Sequence, residues 1–151
     1  MAYSTTPETK VTISVSESGM SSSPTSINST QTLYAIDNRT KITKSTGVRV
    51  HKALNGGVVV FTEASMGDGS NAQAWLYVKV LDKNTSDTNY CLVTVASSPL
   101  GRIYKGQAAF IPLLCEGGSN ITFTTDAAAT EVEWCVWYEK ADDAFITSAA
   151  L

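Results

Sequence analysis

Only one histidine, His51, occurs in the 151 residues, so any Ser–His–acid triad or histidine-ligated metal would have to use it. It stands in Arg49-Val50-His51-Lys52, where two flanking cations oppose the imidazolium that such a triad forms. No serine lies in a Gly-x-Ser-x-Gly elbow, and His51 reads as an exposed strand histidine. Glu131 and Glu133 share one side of a strand, with Cβ atoms about 7 Å apart, close enough in principle for two-carboxylate glycoside hydrolysis. The face they occupy reads as solvated, and Asp142-Asp143 near the terminus is a weaker pair. The loop Gly67-Asp68-Gly69-Ser70-Asn71 offers one carboxylate to a calcium ion, which takes roughly six to eight oxygens. The three cysteines, Cys91, Cys115 and Cys135, form no Cys-x-x-Cys pair, and each lies in an apolar run, as buried free thiols do. No glycine-rich phosphate-binding motif occurs. These residues predict no catalytic, metal or cofactor site, and the chain is expected not to be an enzyme.

Aromatic residues carry the clearest binding signal. Trp75, Trp134, Trp137 and six tyrosines could stack against sugar rings, or fill a core or a subunit interface. Alternation along 131–139 puts Val132, Trp134, Val136 and Tyr138 on one face, so Trp134 reads as core. Glu131, Glu133, Cys135, Trp137 and Glu139 share the other face, which reads as the outer one. Trp137 is therefore the aromatic to expect at an interface or ligand.

The elements that must position these groups read as strands throughout. Residues 1–32 are half Ser and Thr, and within them 10–15 alternates, with Val11, Ile13 and Val15 on one face. This predicts one strand inside an extended polar arm, spanning 1–30, while 16–29 has too few apolar residues to fold by itself. Further strands are expected at 32–36, 41–43, 48–51, 58–61, 72–81, 90–95, 102–104, 108–114, 120–124 and 131–138. The 58–61 run, Val-Val-Val-Phe, reads as buried on both faces. The 72–81 strand puts Trp75, Tyr77 and Leu81 on one face and Leu76, Val78 and Val80 on the other. It is expected to form a hairpin with 90–95 across the polar turn 82–88, and Pro99-Leu100-Gly101 reads as a corner. Only 141–150 offers a short helix, and it could equally be a tail, so 141–151 is set apart from a domain at 31–140. Many short strands with regular turn signals predict an all-β, antiparallel two-sheet sandwich. A jelly roll is expected, with an immunoglobulin-like order as the open alternative.

Composition narrows the partners. The formal net charge is −3, without the basic footprint that nucleic acid requires. Residues 1–52 hold six Lys/Arg against three Asp/Glu, and 53–151 hold five against eleven. Head-to-tail attraction between copies is one reading of this polarity, and plain solvated charge is the other. No apolar run is long enough to span a membrane, and MAYSTTPETK has no secretory h-region. The four Asn-x-Ser/Thr triplets, at Asn28, Asn38, Asn84 and Asn120, read as by-products of Ser/Thr richness.

One stretch is familiar. Ser97-Ser98-Pro99-Leu100-Gly101-Arg102-Ile103-Tyr104-Lys105-Gly106-Gln107-Ala108-Ala109-Phe110-Ile111-Pro112-Leu113 is followed by Asn120-Ile121-Thr122-Phe123-Thr124 and Glu131-Val132-Glu133-Trp134. Over roughly residues 72–139 the chain resembles small β-sandwich structural proteins of tailed bacteriophages. The resemblance implies a virion protein assembled in the host cytoplasm: a head decoration (cement), fibre-base or tail-associated component. Its partners would be copies of itself, a trimer above all, and other virion proteins such as the major capsid protein. A polar arm suits this, because an extended segment can add a strand to a neighbour's sheet with Val11, Ile13 and Val15 facing inward. A carbohydrate-binding module of a phage tail or adhesin, using Trp137, is the alternative.

Overall fold

Valine, threonine and aromatic residues dominate the alternating stretches, and they suit a pleated, half-buried surface. In the computed structural model, which describes residues 8–19, 26–33, 44–62, 72–115 and 120–138, these stretches form eleven strands, and no helix occurs among the described residues. Among the described residues β1 (Lys10–Ser16) pairs only with β2 (Ser26–Thr32), as an antiparallel two-stranded sheet. The others are β3 (Lys44–Ser45), β4 (Arg49–His51), β5 (Val58–Phe61), β6 (Ala72–Val80), β7 (Tyr90–Val95), β8 (Ser98–Tyr104), β9 (Ala108–Cys115), β10 (Ile121–Thr125) and β11 (Val132–Tyr138).

They make two antiparallel sheets. One has the order β5-β10-β7-β8. The other has the order β3-β11-β6-β9, with β4 also on β11. Counting β3 and β4 as one interrupted strand, the pairing is nested: first with last (β3/β4 with β11), then β5 with β10, β6 with β9 and β7 with β8. This is a long antiparallel hairpin rolled into a two-sheet sandwich, the strand order of a jelly roll. The all-β sandwich expected from the sequence is present.

Between the sheets lies one core, with Leu76, Val78, Val80, Val93, Ile121, Phe123, Val132, Trp134, Val136 and Tyr138 buried. Phe123 meets Trp134 edge-on at 5.9 Å, and Phe61 meets Tyr138 at 5.2 Å. The faces predicted for β6 and β11 are those observed: Leu76, Val78 and Val80 point in, as do Val132, Trp134, Val136 and Tyr138.

Several local expectations fail, each for a topological reason. β6 and β7 do not pair, because the rolled order sends them to opposite sheets, and 81–89 is a crossing. β5 is an edge strand, so Val58 and Val59 are exposed and only Val60 and Phe61 are buried. Pro99-Leu100-Gly101 is no corner but the body of β8, where the register with β7 slips at Val93/Thr94. The turn falls earlier, at Ala96 and Ser97, both with the positive φ (50° and 72°) of a tight two-residue hairpin. Of the predicted run 32–36, Thr32 closes β2, Leu33 lies outside any strand and 34–36 lie outside the described residues, while 26–29, part of the 16–29 stretch expected not to fold by itself, is held in β2 by its pairing with β1. The runs at 41–43 and 141–150 lie outside the described residues.

The crossings at one end of the sandwich are tied by side-chain amides. Asn84 Nδ2 donates to the carbonyls of Leu81 (2.8 Å) and Glu131 (3.1 Å), and its Oδ1 accepts from Glu131 N at 2.9 Å. Asn89 Nδ2 donates to Asp126 Oδ2 at 2.9 Å, and Asp126 Oδ1 accepts from Thr130 Oγ1 and Tyr90 N. Gly106 suits the β8–β9 crossing because its φ of +80° is one that L side chains rarely adopt.

Candidate functional site: the β1–β2 hairpin and the aromatic face beneath it

The register Val11↔Gln31, Ile13↔Ser29 and Val15↔Ile27 puts Val11, Ile13, Val15 and Ile27 on one face of the hairpin. The opposite face carries Thr12, Ser14, Asn28 and Thr30, with Thr12 Oγ1 and Thr30 Oγ1 2.8 Å apart. At the hairpin base Leu33 N donates to Thr9 O at 2.9 Å, which directs the Leu33 side chain into a second apolar cluster. Leu33 is fully buried there with Trp75, and Val11, Phe110 and Trp137 pack around them. Trp75 stacks on Phe110 at 5.5 Å, and Phe110 meets Trp137 at 5.8 Å with the rings tilted by 59°. Pairing of Trp137 with Trp75 and of Trp75 with Pro112 explains the grouping: these residues lie on the outer face of the five-stranded sheet.

The four residues singled out from the sequence therefore divide. Val11, under the hairpin, and Trp137, on the sheet, both pack against the Leu33–Trp75 cluster. Ile13 and Val15 stay exposed, at 44% and 39%, beside Ile27 at 46%. The sequence reading missed Leu33, Phe110 and Ile27. Ile27 is the one apolar residue of a Ser/Thr/Asn strand, and its alternation cannot be seen without the register to β1. β1 was expected to seek a neighbour's sheet edge, but one of its edges is already satisfied by β2.

The remaining sequence candidates are each occupied structurally. His51 is half-buried rather than exposed: Trp134 Nε1 donates to its Nδ1 at 2.9 Å, and the two rings lie 5.7 Å apart. Glu131 is paired with Lys83 Nζ at 2.6 Å, and Glu133 accepts from the Tyr77 hydroxyl at 2.9 Å. Burial, reinforced by that bond and by the charge of Glu133, pushes the Tyr77 phenol up to about 12. Cys91 and Cys135 are buried free thiols, and burial raises both, Cys91 to about 12. The Cys115 side chain, the loop at 67–71 and Asp142-Asp143 lie outside the described residues. Among the described residues no group of three or more His, Cys, Asp or Glu side chains could hold a metal ion. No helix is long and apolar enough to cross a membrane among them.

Comparison with known protein families, with curated proteins and with solved structures finds no match for this chain.

Proposed function

We propose that this chain is a non-enzymatic structural protein of a bacteriophage virion, a capsid decoration or a fibre- or tail-associated component. It oligomerises through the apolar face of its β1–β2 hairpin and stabilises the particle. The observation that carries the reading is the position of Ile13, Val15 and Ile27. Three large aliphatic side chains stand exposed on a two-stranded sheet anchored at its base by Leu33. An isolated two-stranded hairpin is marginal in water, and covering that face removes the cost. The hairpin strands carry a single charge, Lys10, already paired with Glu8 at 3.1 Å, so copies can pack face to face without like-charge repulsion. The virion setting rests on the resemblance of residues 72–139 to phage β-sandwich proteins.

Seven residues per strand give a face about 23 Å long. Two strands about 5 Å apart offer roughly 200 Å² per copy, well short of a stable two-body interface. A closed trimer is the expected assembly, with contacts beyond the hairpin and attachment to a capsid or tail lattice supplying the area that the hairpin face alone lacks. Light scattering across a hundredfold range of concentration tests this. A trimer that Ile13→Thr/Ile27→Thr converts to a folded monomer supports the proposal. A wild-type monomer throughout, or a trimer the double variant leaves intact, overturns the hairpin as the interface.

A further inference from the structure

The outer face of the four-stranded sheet is built differently from the aromatic face on the other side. Alternation along β7, β8 and β10 turns Tyr90, Leu92, Thr94, Arg102, Tyr104, Thr122 and Thr124 outward, while Cys91, Val93, Ile103, Ile121 and Phe123 point into the core. Tyr90 lies directly across from Tyr104, with the rings edge-on at 5.9 Å. Leu92 lies across from Arg102, whose guanidinium carbon sits 4.4 Å above the centre of the Tyr90 ring. Arg102 is the one charged side chain on these strands' outward positions, and none of the ion pairs among the described residues involves it. Its partners are phenols, those of Tyr104 and Tyr90, which hold the guanidinium above its ordinary range. The ring beneath it limits its rotamers while leaving the fork open to solvent.

We propose that this face binds an acidic saccharide, a sugar ring bearing a carboxylate, with Arg102 as the carboxylate fork and Tyr104 as the ring contact. Three chemistries share this one sheet face. A planar cation with no acidic partner accepts a carboxylate in bidentate geometry. The exposed Tyr104 ring covers the C–H side of a pyranose. Further across the face, Thr124 lies beyond Leu92 in the Arg102 row and Thr94 and Thr122 form the next row, offering neutral donors and acceptors to the hydroxyls of adjoining sugar units. In a chain of net charge −3, an isolated cation on a hydroxyl-rich face selects for one negative group rather than for a polyanion such as nucleic acid. The site is open and shallow, so binding is weak per copy and gains strength in an oligomer that presents several copies. The proposal stands independently of the hairpin interface.

The test is saturation-transfer difference spectroscopy and calorimetric titration of the full chain with tri-galacturonic acid, with neutral galactotriose and acetate as comparators. Tri-galacturonate is expected to bind at least tenfold more tightly than either comparator, and Arg102→Gln is expected to weaken it at least tenfold. Arg102 is exposed, so the variant folds, which an unchanged melting temperature verifies. Tyr104→Ala is expected to remove the saturation transfer to the sugar C–H protons. Equal binding of galactotriose, equal binding of acetate, no binding of tri-galacturonate, or an Arg102→Gln protein that binds like the wild type would each overturn the assignment.

Discussion

Replacing Leu33 by alanine is expected to free the β1–β2 hairpin while leaving the sandwich folded. Leu33 belongs to the cluster with Trp75, Val11, Phe110 and Trp137, which is separate from the core between the sheets. The described contacts that tie the hairpin to the sandwich run through that cluster. A fully buried leucine truncated to alanine costs about 3 kcal/mol, the lost transfer energy plus the cavity. A hairpin of this size has no reserve of its own to absorb that loss, so the whole of it falls on local opening, about a hundredfold in the opening equilibrium. Hydrogen exchange resolved by peptide reads this directly. Amides of β1 and β2 lose about two orders of magnitude of protection, while those of β6, β10 and β11 keep theirs and the melting temperature of the sandwich stays within a few degrees. Emission from Trp75 and Trp137 shifts to the red as water reaches them. If the variant instead lowers the global melting temperature and the hairpin amides exchange no faster relative to the core, the hairpin is part of the sandwich's cooperative unit and the reasoning fails.

Three further outcomes follow from other residues. Trp134→Phe removes the Nε1–H that donates to His51 Nδ1 and leaves a void in the core, so calorimetry should record a loss of about 2 kcal/mol, some 5 °C. Asp126 gives the fold an acid limit. Burial alone would raise its carboxyl, but hydrogen bonds from Asn89, Thr130 and the Tyr90 N–H outweigh burial and hold it below the usual range. A depressed folded-state pKa gives stability that is fully present above the unfolded value, near about 3.9, and is lost as pH falls through the lower folded value. The melting temperature should therefore drop below about pH 4, and Asp126→Asn should be less stable at neutral pH and show a shallower acid slope. With its thiol pushed up to about 12, native Cys91 is roughly one part in ten thousand thiolate at pH 8. Peptide mapping after iodoacetamide treatment should find Cys91 and Cys135 unmodified until denaturant is added. Rapid native labelling of either would contradict its burial.

What could be read from the residues alone was whatever depends on alternation within one strand. The inward sets of β6 and β11 follow from a period of two and from the aliphatic content of one side, and Trp134 is core as its neighbours indicate. What escaped depends on which strand lies beside which. β6 and β7 are consecutive and separated by a polar turn, which is the local signature of a hairpin, but the rolled pairing places β9 and β11 beside β6 instead. Nothing local distinguishes the two outcomes, since 81–89 is long enough for either. The same holds for His51, whose Trp134 partner is 83 residues away. It holds too for Tyr90 and Arg102, which lie on neighbouring strands and meet only through the β7–β8 register. Pro99 misled by its turn propensity. On β8, an edge strand, its missing N–H costs no ladder bond.

The edge strands bear on how copies could associate. A sheet edge with unpaired N–H and C=O groups invites strand addition and open-ended growth. Here β8 carries Pro99 and a register slip, and β9 carries Pro112 in mid-strand. β5 is four residues long, with its register to β10 shifted at Ile121/Thr122. The remaining edge is broken into β3 and β4 by 46–48, where Gly47 takes a φ of +69°. Every edge of the sandwich is thus short, kinked or proline-bearing, which disfavours edge-to-edge polymerisation. Large aliphatic residues are left on a side-chain face of the hairpin, where packing is not propagated by backbone hydrogen bonds and can close on itself about a symmetry axis. Under the proposed virion role that division would matter, because blunt edges oppose runaway growth while the hairpin face of Ile13, Val15 and Ile27 offers an association that can close.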